Sequence, residues 1–260
     1  MPESNASGSV ALRHVEHVMG MAVSIHVLDD VDPRVLEPAL AHLHDVDARF
    51  STYRSDSEVS RLARGAVSLQ DCSRDVRIVL DLAEALRLRT DGYFDMVRAG
   101  ADGAPTLDPS GVVKGWAVDG AADRLRRAGV RTFCINAGGD VLACSADASH
   151  LWRIGIRHPR ESHAVFAVVA AANVCVATSG AYERGDHIVD PHTGQPPVGL
   201  ASLTVIGRRL ATVDAFATAA FAMGAAGIAW VARQPGYGVC AVTDAAHVSY
   251  DDEFARYRVA

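Results

Sequence analysis

The chain has 260 residues, of which 49% are hydrophobic and 22% charged, so it can bury a sizeable core and is not a disordered protein. Its 31 acidic residues outnumber its 25 lysines and arginines, and the formal net charge of −6 lacks the positive excess of a dedicated nucleic-acid binder. The five cysteines form no C-x-x-C pair, which gives no indication of a zinc site and suits buried thiols in a reducing compartment.

A single domain over residues 11–260 is favoured, because no fixed-period repeat or low-complexity linker divides the sequence. Residues 1–10 are polar and typical of a flexible tail, and they lack the basic and apolar segments of a secretory signal. As the sequence stands, we expect a cytoplasmic protein, or an exported one if a leader has been removed. Residues 215–232 carry no charge, but their many alanines and two glycines favour two buried helices over a transmembrane segment.

In the first half of the chain, the spacing of apolar residues predicts one strand followed by three helices. Residues 21–28 alternate apolar and polar side chains, which is the period of a half-buried strand. Leucines share one face of a predicted helix over residues 33–49, and helical spacing recurs over residues 73–89 and 117–128. Gly129 is placed to end the last of these helices.

The second half of the chain is predominantly β. Short β-rich runs separated by Gly, Pro and Asp predict strands at residues 132–136, 152–157, 165–169, 174–177, 202–206, 238–242 and 254–259. Helices early and strands late, without strict βαβ alternation, predict an α+β fold with mixed, mostly antiparallel sheets flanked by helices.

Two polar clusters follow predicted strands. In Asn136-Ala137-Gly138-Gly139-Asp140 the glycine amides either approach a phosphate closely or form a plain turn. In Thr178-Ser179-Gly180 the hydroxyls and an amide suit phosphate oxygens, but the same residues are common in ordinary turns. The residues alone leave both alternatives open.

Two further clusters carry groups suited to proton transfer and metal binding. Residues 187–194 contain His187, a candidate general base for a hydroxyl, although a surface loop with incidental histidines is the alternative. Asp214 and Thr218 are four residues apart, so a carboxylate and a hydroxyl converge on one helix face in a way that suits Mg²⁺. In the alternative, Asp214 stabilises a helix N-terminus and Thr218 is a core residue.

Aromatic residues and one lysine indicate where a ligand could bind upstream. Tyr53 lies in a polar stretch, and Tyr93 and Phe94 precede Asp95; such aromatics either sandwich a heteroaromatic ligand or close the edge of a core. Lys114 is predicted to open a helix, where a phosphate would meet both an ammonium group and a helix N-terminus, unless the lysine is merely solvated.

In their order along the chain, these motifs resemble the ApbE family of FAD:protein FMN transferases. The resemblance extends from about residue 15 to about residue 245 and rests on these motifs: Met19-Gly20, Phe50-Ser51-x-Tyr53-x3-Ser57-Glu58, Asp91-Gly92-x-Phe94-Asp95, Lys114-Gly115-x-Ala117-x-Asp119, Asn136-x-Gly138-Gly139-Asp140, Thr178-Ser179-Gly180, His187-x-x-Asp190-Pro191-x-Thr193-Gly194 and Asp214-x3-Thr218.

The resemblance implies a domain that binds FAD with Mg²⁺, or with Mn²⁺ in its place. It implies transfer of the FMN moiety to a Thr or Ser hydroxyl of an acceptor protein, with release of AMP. The positions similar to the family's flavin and adenine contacts are Met19, Tyr53, Tyr93, Phe94, Asp95, Lys114, Ala117, Gly138, Gly139, Thr178, Ser179 and Gln195. Those similar to its metal ligands are Asp214, Thr218 and the main-chain carbonyl of Val113.

The resemblance also frames the catalytic roles and their alternatives. Asp214 would act through the metal, and His187 is the expected base for the acceptor's proton, with Asp190 as its orienting partner. After Asp95 the chain has Met96-Val97 where relatives commonly have Pro-Thr, and the chain thus departs from the family pattern in a region expected to shape access of the acceptor. Many relatives are exported lipoproteins, but the sequence as it stands has no lipobox cysteine. Hydrolysis of FAD to FMN and AMP, and a non-catalytic FAD-binding carrier, remain open alternatives.

Overall fold

The computed structural model describes residues 12–99, 105–161, 163–180 and 188–259. Its helices, in chain order, are α1 Glu37–Phe50, α2 Glu58–Ala63, α3 Arg74–Arg89, α4 Ser110–Arg127, α5 Leu210–Ala222, α6 Ala225–Ala232 and α7 Asp252–Ala255. Its strands are β1 Leu12–Val18, β2 Met21–Val27, β3 Val97–Ala99, β4 Pro105–Leu107, β5 Phe133–Ala137, β6 Asp140–Cys144, β7 Trp152–Arg157, β8 Val165–Ala171, β9 Val174–Gly180, β10 Leu200–Gly207, β11 Gly238–Thr243, β12 Val248–Tyr250 and β13 Arg258–Val259.

The strands form one large sheet and two small ones. The large sheet has eight strands in the order β1-β2-β5-β6-β9-β10-β11-β12, and the smaller sheets have the orders β13-β8-β7 and β3-β4. Every strand pairing among the described residues is antiparallel. The predicted α+β class with mostly antiparallel sheets is therefore confirmed.

Both faces of the large sheet are covered. One face carries the larger apolar core together with α1, α3, α4 and α5, and the other packs on β7, β8 and the Phe254 side chain of α7. Adjacent residues of β10 show the division, since Val205 belongs to the helical side and Ile206 to the small-sheet side. Inner strands such as β6 are consequently buried at every position instead of alternating.

Most of the predicted elements are confirmed, with shifts of a few residues at their ends. The uncharged stretch over residues 215–232 does form two helices, and α5 is buried as predicted. The predicted burial of α6 is wrong, because only Gly227 and Val231 of this helix are buried. Among the described residues, no helix has both the length and the apolar character needed to cross a bilayer. The tail predicted for residues 1–10 lies outside the described residues.

Two predicted elements are wrong in their bounds or type. The helix predicted from residue 117 begins at Ser110, because burial of Val112 and Gly115 against the core outweighs the poor helix propensity of Val and Gly. The strand predicted over residues 254–259 is a short helix followed by two extended residues. There, Asp251 accepts a hydrogen bond from the Phe254 amide at 2.8 Å and so starts α7.

Candidate active site

A cleft of about 660 Å³ opens beside the N-terminal halves of α4 and α5. Its walls also include the β1–β2 turn, the end of α1, the β5–β6 turn and the end of β9. The lining residues are Met19, Gly20, Met21, Val46, Asp47, Phe50, Ser51, Thr52, Tyr53, Asp108, Ser110, Gly111, Val113, Lys114, Gly138, Arg157, Thr178, Ser179, Ile188, Asp214 and Thr218. Clefts of this size commonly bind small molecules.

The site is assembled where α4 crosses α5 at very short range. A Cβ atom added to Gly115 would lie 2.6 Å from the Cα of Ala211, so only glycine fits at this crossing. The crossing brings Lys114, the fifth residue of α4, beside Asp214, the fifth residue of α5. The sequence placed Lys114 at the start of its helix, and the structure instead places it one turn inside.

The start of α5 is held by a buried carboxylate of α4. The two carboxylate oxygens of Asp119 accept the amide hydrogens of Leu210 and Ala211, each at 3.1 Å. The Nε atom of Arg209 lies 3.5 Å from the same carboxylate. Burial raises the pKa of Asp119, while the two amide hydrogen bonds and Arg209 act in the opposite direction. Asp119 therefore fixes the helix that carries Asp214 and Thr218.

An ammonium group lies between two buried carboxylates at the base of the cleft. Lys114 Nζ is 2.6 Å from Asp140 Oδ2 and 3.6 Å from Asp214 Oδ2. Only 4% of the Asp140 side chain and 8% of the Asp214 side chain are exposed. Burial raises the pKa of Asp140, and the adjacent Lys114 ammonium opposes this shift. The arrangement concentrates charge where little solvent screens it.

The glycine pair predicted as a turn or an anion site forms a two-residue hairpin turn. Gly138 and Gly139 have φ values of 59° and 102°, and β5 and β6 pair through Ala137 and Asp140. The side chain of Asn136 accepts the Gly139 amide hydrogen at 3.0 Å. The turn interpretation is confirmed, and Gly138 also lines the cleft, so a ligand role for its amide stays a prediction.

A row of hydroxyl groups continues the site from β9 to α5. Thr178 Oγ1 lies 2.9 Å from Thr204 Oγ1, and Ser179 Oγ lies 3.5 Å from Thr218 Oγ1. Thr218 and Asp214 both line the cleft, which confirms that their four-residue spacing places them on one helix face. Hydroxyl and carboxylate oxygens thus meet on one wall.

The charges of the lining residues favour binding of a cation. Among the described lining residues, Asp47, Asp108 and Asp214 are acidic, whereas Lys114 and Arg157 are basic. The cleft is therefore slightly acidic, and an anionic ligand would be repelled unless a further positive charge accompanied it.

The oxygen donors fit a hard divalent cation that completes its coordination with ligand and water oxygens. Asp214 and Thr218 supply a carboxylate and a hydroxyl, the donor chemistry that Mg²⁺ prefers. Within residues 12–99, 105–161, 163–180 and 188–259, no three His, Cys, Asp or Glu side chains are arranged as a metal site by themselves. Val113 lies in the first turn of α4, where a carbonyl normally accepts an intrahelical hydrogen bond, so its predicted ligand role would have to share that oxygen.

The cleft gathers about half of the residues predicted from the sequence. Those on its wall are Met19, Tyr53, Val113, Lys114, Gly138, Thr178, Ser179, Asp214 and Thr218. The predicted residues that lie outside its described lining are Tyr93, Phe94, Asp95, Ala117, Gly139, Asp190 and Gln195.

The residues outside the lining have identifiable local contacts. Phe94 and Ala117 are buried in the core, and Tyr93 meets the His192 ring edge-on at 4.5 Å between centroids. Asp95 accepts a hydrogen bond from the Val97 amide at 2.8 Å. Their predicted ligand contacts stay predictions.

The proposed base cannot be placed, because His187 lies outside the described residues. Its expected partner Asp190 accepts the His192 amide hydrogen at 2.9 Å, and its own amide donates to the exposed Gln195 at 2.8 Å. Asp190 thus stabilises the turn in which it lies, and its pairing with His187 stays a prediction.

Asp140 and Arg157 belong to the site without a role predicted from the sequence. Asp140 is the last residue of the Asn-x-Gly-Gly-Asp motif. The sequence feature that could have indicated its role is a carboxylate at the start of the otherwise apolar strand β6. Arg157 ends β7 in the small sheet, and nothing local in the sequence indicates that it reaches the cleft.

Several known proteins that are similar to this chain belong to one family. The sequence profile of the ApbE family matches residues 19–102 and 98–241. A FAD:protein FMN transferase of Vibrio cholerae serotype O1 is 27% identical over 238 residues, which cover 70% of this chain and 71% of that protein. A FAD:protein FMN transferase of Rhodobacter capsulatus is 32% identical over 222 residues, covering 82% of this chain but only 39% of the relative. The crystal structure of the ApbE protein from Thermotoga maritima has the same fold, with a TM-score of 0.84 at 23% identity over 96% of this chain and 100% of the other.

Proposed function

This chain belongs to the ApbE family, and we propose that it transfers the FMN moiety of FAD to a Thr or Ser hydroxyl of an acceptor protein, with release of AMP. The curated relatives with this activity in their names support flavin transfer. The observation that carries the proposal is the cluster of Lys114, Asp214 and Thr218 on one wall of a ligand-sized cleft. This cluster combines the charges and oxygen donors that a diphosphate ester requires.

Binding of FAD depends on neutralising its diphosphate. The Lys114 ammonium offers one positive charge at the base of the cleft. Arg157, at the end of β7 in the small sheet, offers another. Mg²⁺, or Mn²⁺ in its place, would be held by Asp214 and Thr218 and would supply the positive charge that the acidic cleft otherwise lacks. Thr178 and Ser179 line the cleft, and their hydroxyls would donate hydrogen bonds to phosphate oxygens.

The flavin or adenine ring has an aromatic partner at the rim of the cleft. Tyr53 lines the cleft with 98% of its surface exposed, so stacking would bury apolar area that is now in water. Met19, which also lines the cleft, has a φ of 55°, an unusual value for a residue other than glycine.

In the transfer step, the acceptor oxygen attacks the phosphorus of the FMN phosphate. The bond between that phosphorus and the bridging oxygen breaks, and the bridging oxygen leaves with AMP. The Lys114 ammonium stabilises negative charge as it grows on the leaving phosphate. His187 takes the proton of the acceptor hydroxyl, and Asp190 orients it. Positioning and charge neutralisation would supply most of the acceleration.

The test compares D214N with a matched acidic control. The purified chain is incubated with FAD and Mg²⁺, with and without a Thr-containing acceptor domain, and AMP and protein-bound flavin are measured. D214N should lower transfer by about 100-fold or more because it removes the carboxylate of the metal site. D252N, which neutralises an exposed aspartate of α7 outside the cleft lining, should leave transfer unchanged.

The same assay separates the alternatives. Release of AMP that is equally fast without the acceptor would favour hydrolysis of FAD to FMN and AMP. Binding of FAD without any AMP release would favour a non-catalytic carrier. If D214N kept full turnover in Mg²⁺, the assignment of the metal to Asp214 would be wrong.

A further inference from the structure

Asp140 is a charged group of the site that is held by both a hydrogen bond and an ion pair. Its carboxylate accepts the Thr178 amide hydrogen at 3.3 Å through Oδ1, while Oδ2 faces Lys114 Nζ at 2.6 Å. Its backbone is fixed between the Gly138-Gly139 turn and the pairing of β6 with β9. Lys114, in contrast, reaches the site on a long side chain, so its 2.6 Å contact with Asp140 constrains where the ammonium lies.

The position of the ammonium matters for the neighbouring carboxylate. Lys114 Nζ is 1.0 Å closer to Asp140 than to Asp214, from the difference between 3.6 Å and 2.6 Å. An ammonium and a divalent cation compete for the same carboxylate when both are within reach, because each neutralises its charge. Without Asp140, Lys114 would move toward Asp214 as the nearest remaining carboxylate of the pair.

We propose that Asp140 is a positioning residue that holds the Lys114 ammonium closer to itself than to Asp214, and so leaves more of the Asp214 charge available to a divalent cation. This inference rests on the metal role given to Asp214 in the proposed function. It assigns to Asp140 an action through Lys114, in addition to its hydrogen bond with Thr178.

The test is a double-mutant cycle on metal binding in the absence of flavin. Mn²⁺ affinity is measured by the electron paramagnetic resonance signal of the free ion for the unsubstituted protein, D140N, K114M and the double variant. D140N should weaken Mn²⁺ binding about ten-fold when Lys114 is present, but by less than about two-fold in the K114M background. D140E retains the carboxylate and should bind Mn²⁺ within about three-fold of the unsubstituted protein. Circular dichroism establishes that each variant is folded.

The outcomes separate this inference from the proposed function. An equal loss in both backgrounds would show that Asp140 acts only by its own charge or by its structural role, and would overturn the inference. No Mn²⁺ binding by the unsubstituted protein would overturn the metal role of Asp214 and the inference with it. A non-additive cycle in a protein that transfers no FMN would support the inference while overturning the proposed activity.

Discussion

The crossing of α4 and α5 leads to the most direct prediction, which concerns the substitution Gly115→Ala. The new Cβ atom would lie 2.6 Å from Ala211 Cα and 2.7 Å from both Ala211 N and the carbonyl carbon of Leu210. Carbon atoms in contact normally lie about 3.5–4.0 Å apart, so the helices would have to separate locally by about 1 Å. The contacts are with backbone atoms, which cannot rotate out of the way.

The expected loss of stability combines three effects. Overpacking of a dense core costs about 1–3 kcal/mol, and the better helix propensity of alanine returns about 0.5–1 kcal/mol. Separation of the helices also lengthens the two 3.1 Å hydrogen bonds that Asp119 accepts from the amides of Leu210 and Ala211. Complete loss of a hydrogen bond to a charged group costs about 1.5–3 kcal/mol. We expect a net loss of about 2–4 kcal/mol, because the hydrogen bonds lengthen without breaking completely.

Urea denaturation followed by circular dichroism measures this loss. Gly111→Ala is the matched control in the same helix, since its added Cβ would meet the Phe94 ring at 3.1 Å instead of a backbone. The ring can shift slightly, so the control should change stability by less than about 1 kcal/mol. A G115A protein as stable as the control would refute the close crossing and, with it, the stated origin of the contact between Lys114 and Asp214.

Two further substitutions test buried polar groups. D119N should destabilise the fold by about 2 kcal/mol in urea denaturation, because the new side-chain amide has one acceptor oxygen for the two backbone amides of Leu210 and Ala211. The control D123N, at a partly exposed site, should cost less than about 0.5 kcal/mol. Equal effects of the two substitutions would contradict the role of Asp119 in capping α5. Burial lowers the pKa of His42 from 6.5 to about 4. Because His42 binds a proton more readily in the unfolded chain than in the folded one, the free energy of unfolding should fall by about 2–3 kcal/mol as the pH decreases from 6.5 to 4. H42L should remove this part of the pH dependence and the exposed-site control H163Q should keep it; an unchanged slope in H42L would assign the effect to other groups.

The elements that sequence analysis predicted well are those with one buried face. Val23, Ile25 and Val27 alternate with outward residues in β2, and the pattern is visible because one side of this strand is less covered. In β6 every residue is buried, so no alternation marks the strand. In α4, Gly115 lowers the helix propensity but is required by packing, which local propensity does not include.

The same distinction holds within the site. The spacing of Asp214 and Thr218 predicts a shared face because helix geometry is local. The contact between Lys114 and Asp140 joins residues 26 positions apart through a helix and a sheet, and neither its existence nor its 2.6 Å length follows from any local pattern. The motifs that resemble the ApbE family contain all three charged residues, yet only the fold shows which of them interact.

The stability of the protein does not explain why these charges are buried. Removal of a carboxylate from water costs several kcal/mol, and buried ion pairs are often no more stabilising than apolar residues of the same volume. Asp140 and Asp214 are nevertheless almost completely covered, and each is adjacent in the chain to a buried valine, Val141 and Val213 respectively. A charge cluster that contributes little to folding but lies at the base of a ligand-sized cleft is best explained by its chemistry. In a low-dielectric site, fixed charges act on a diphosphate without the reorganisation that water would require.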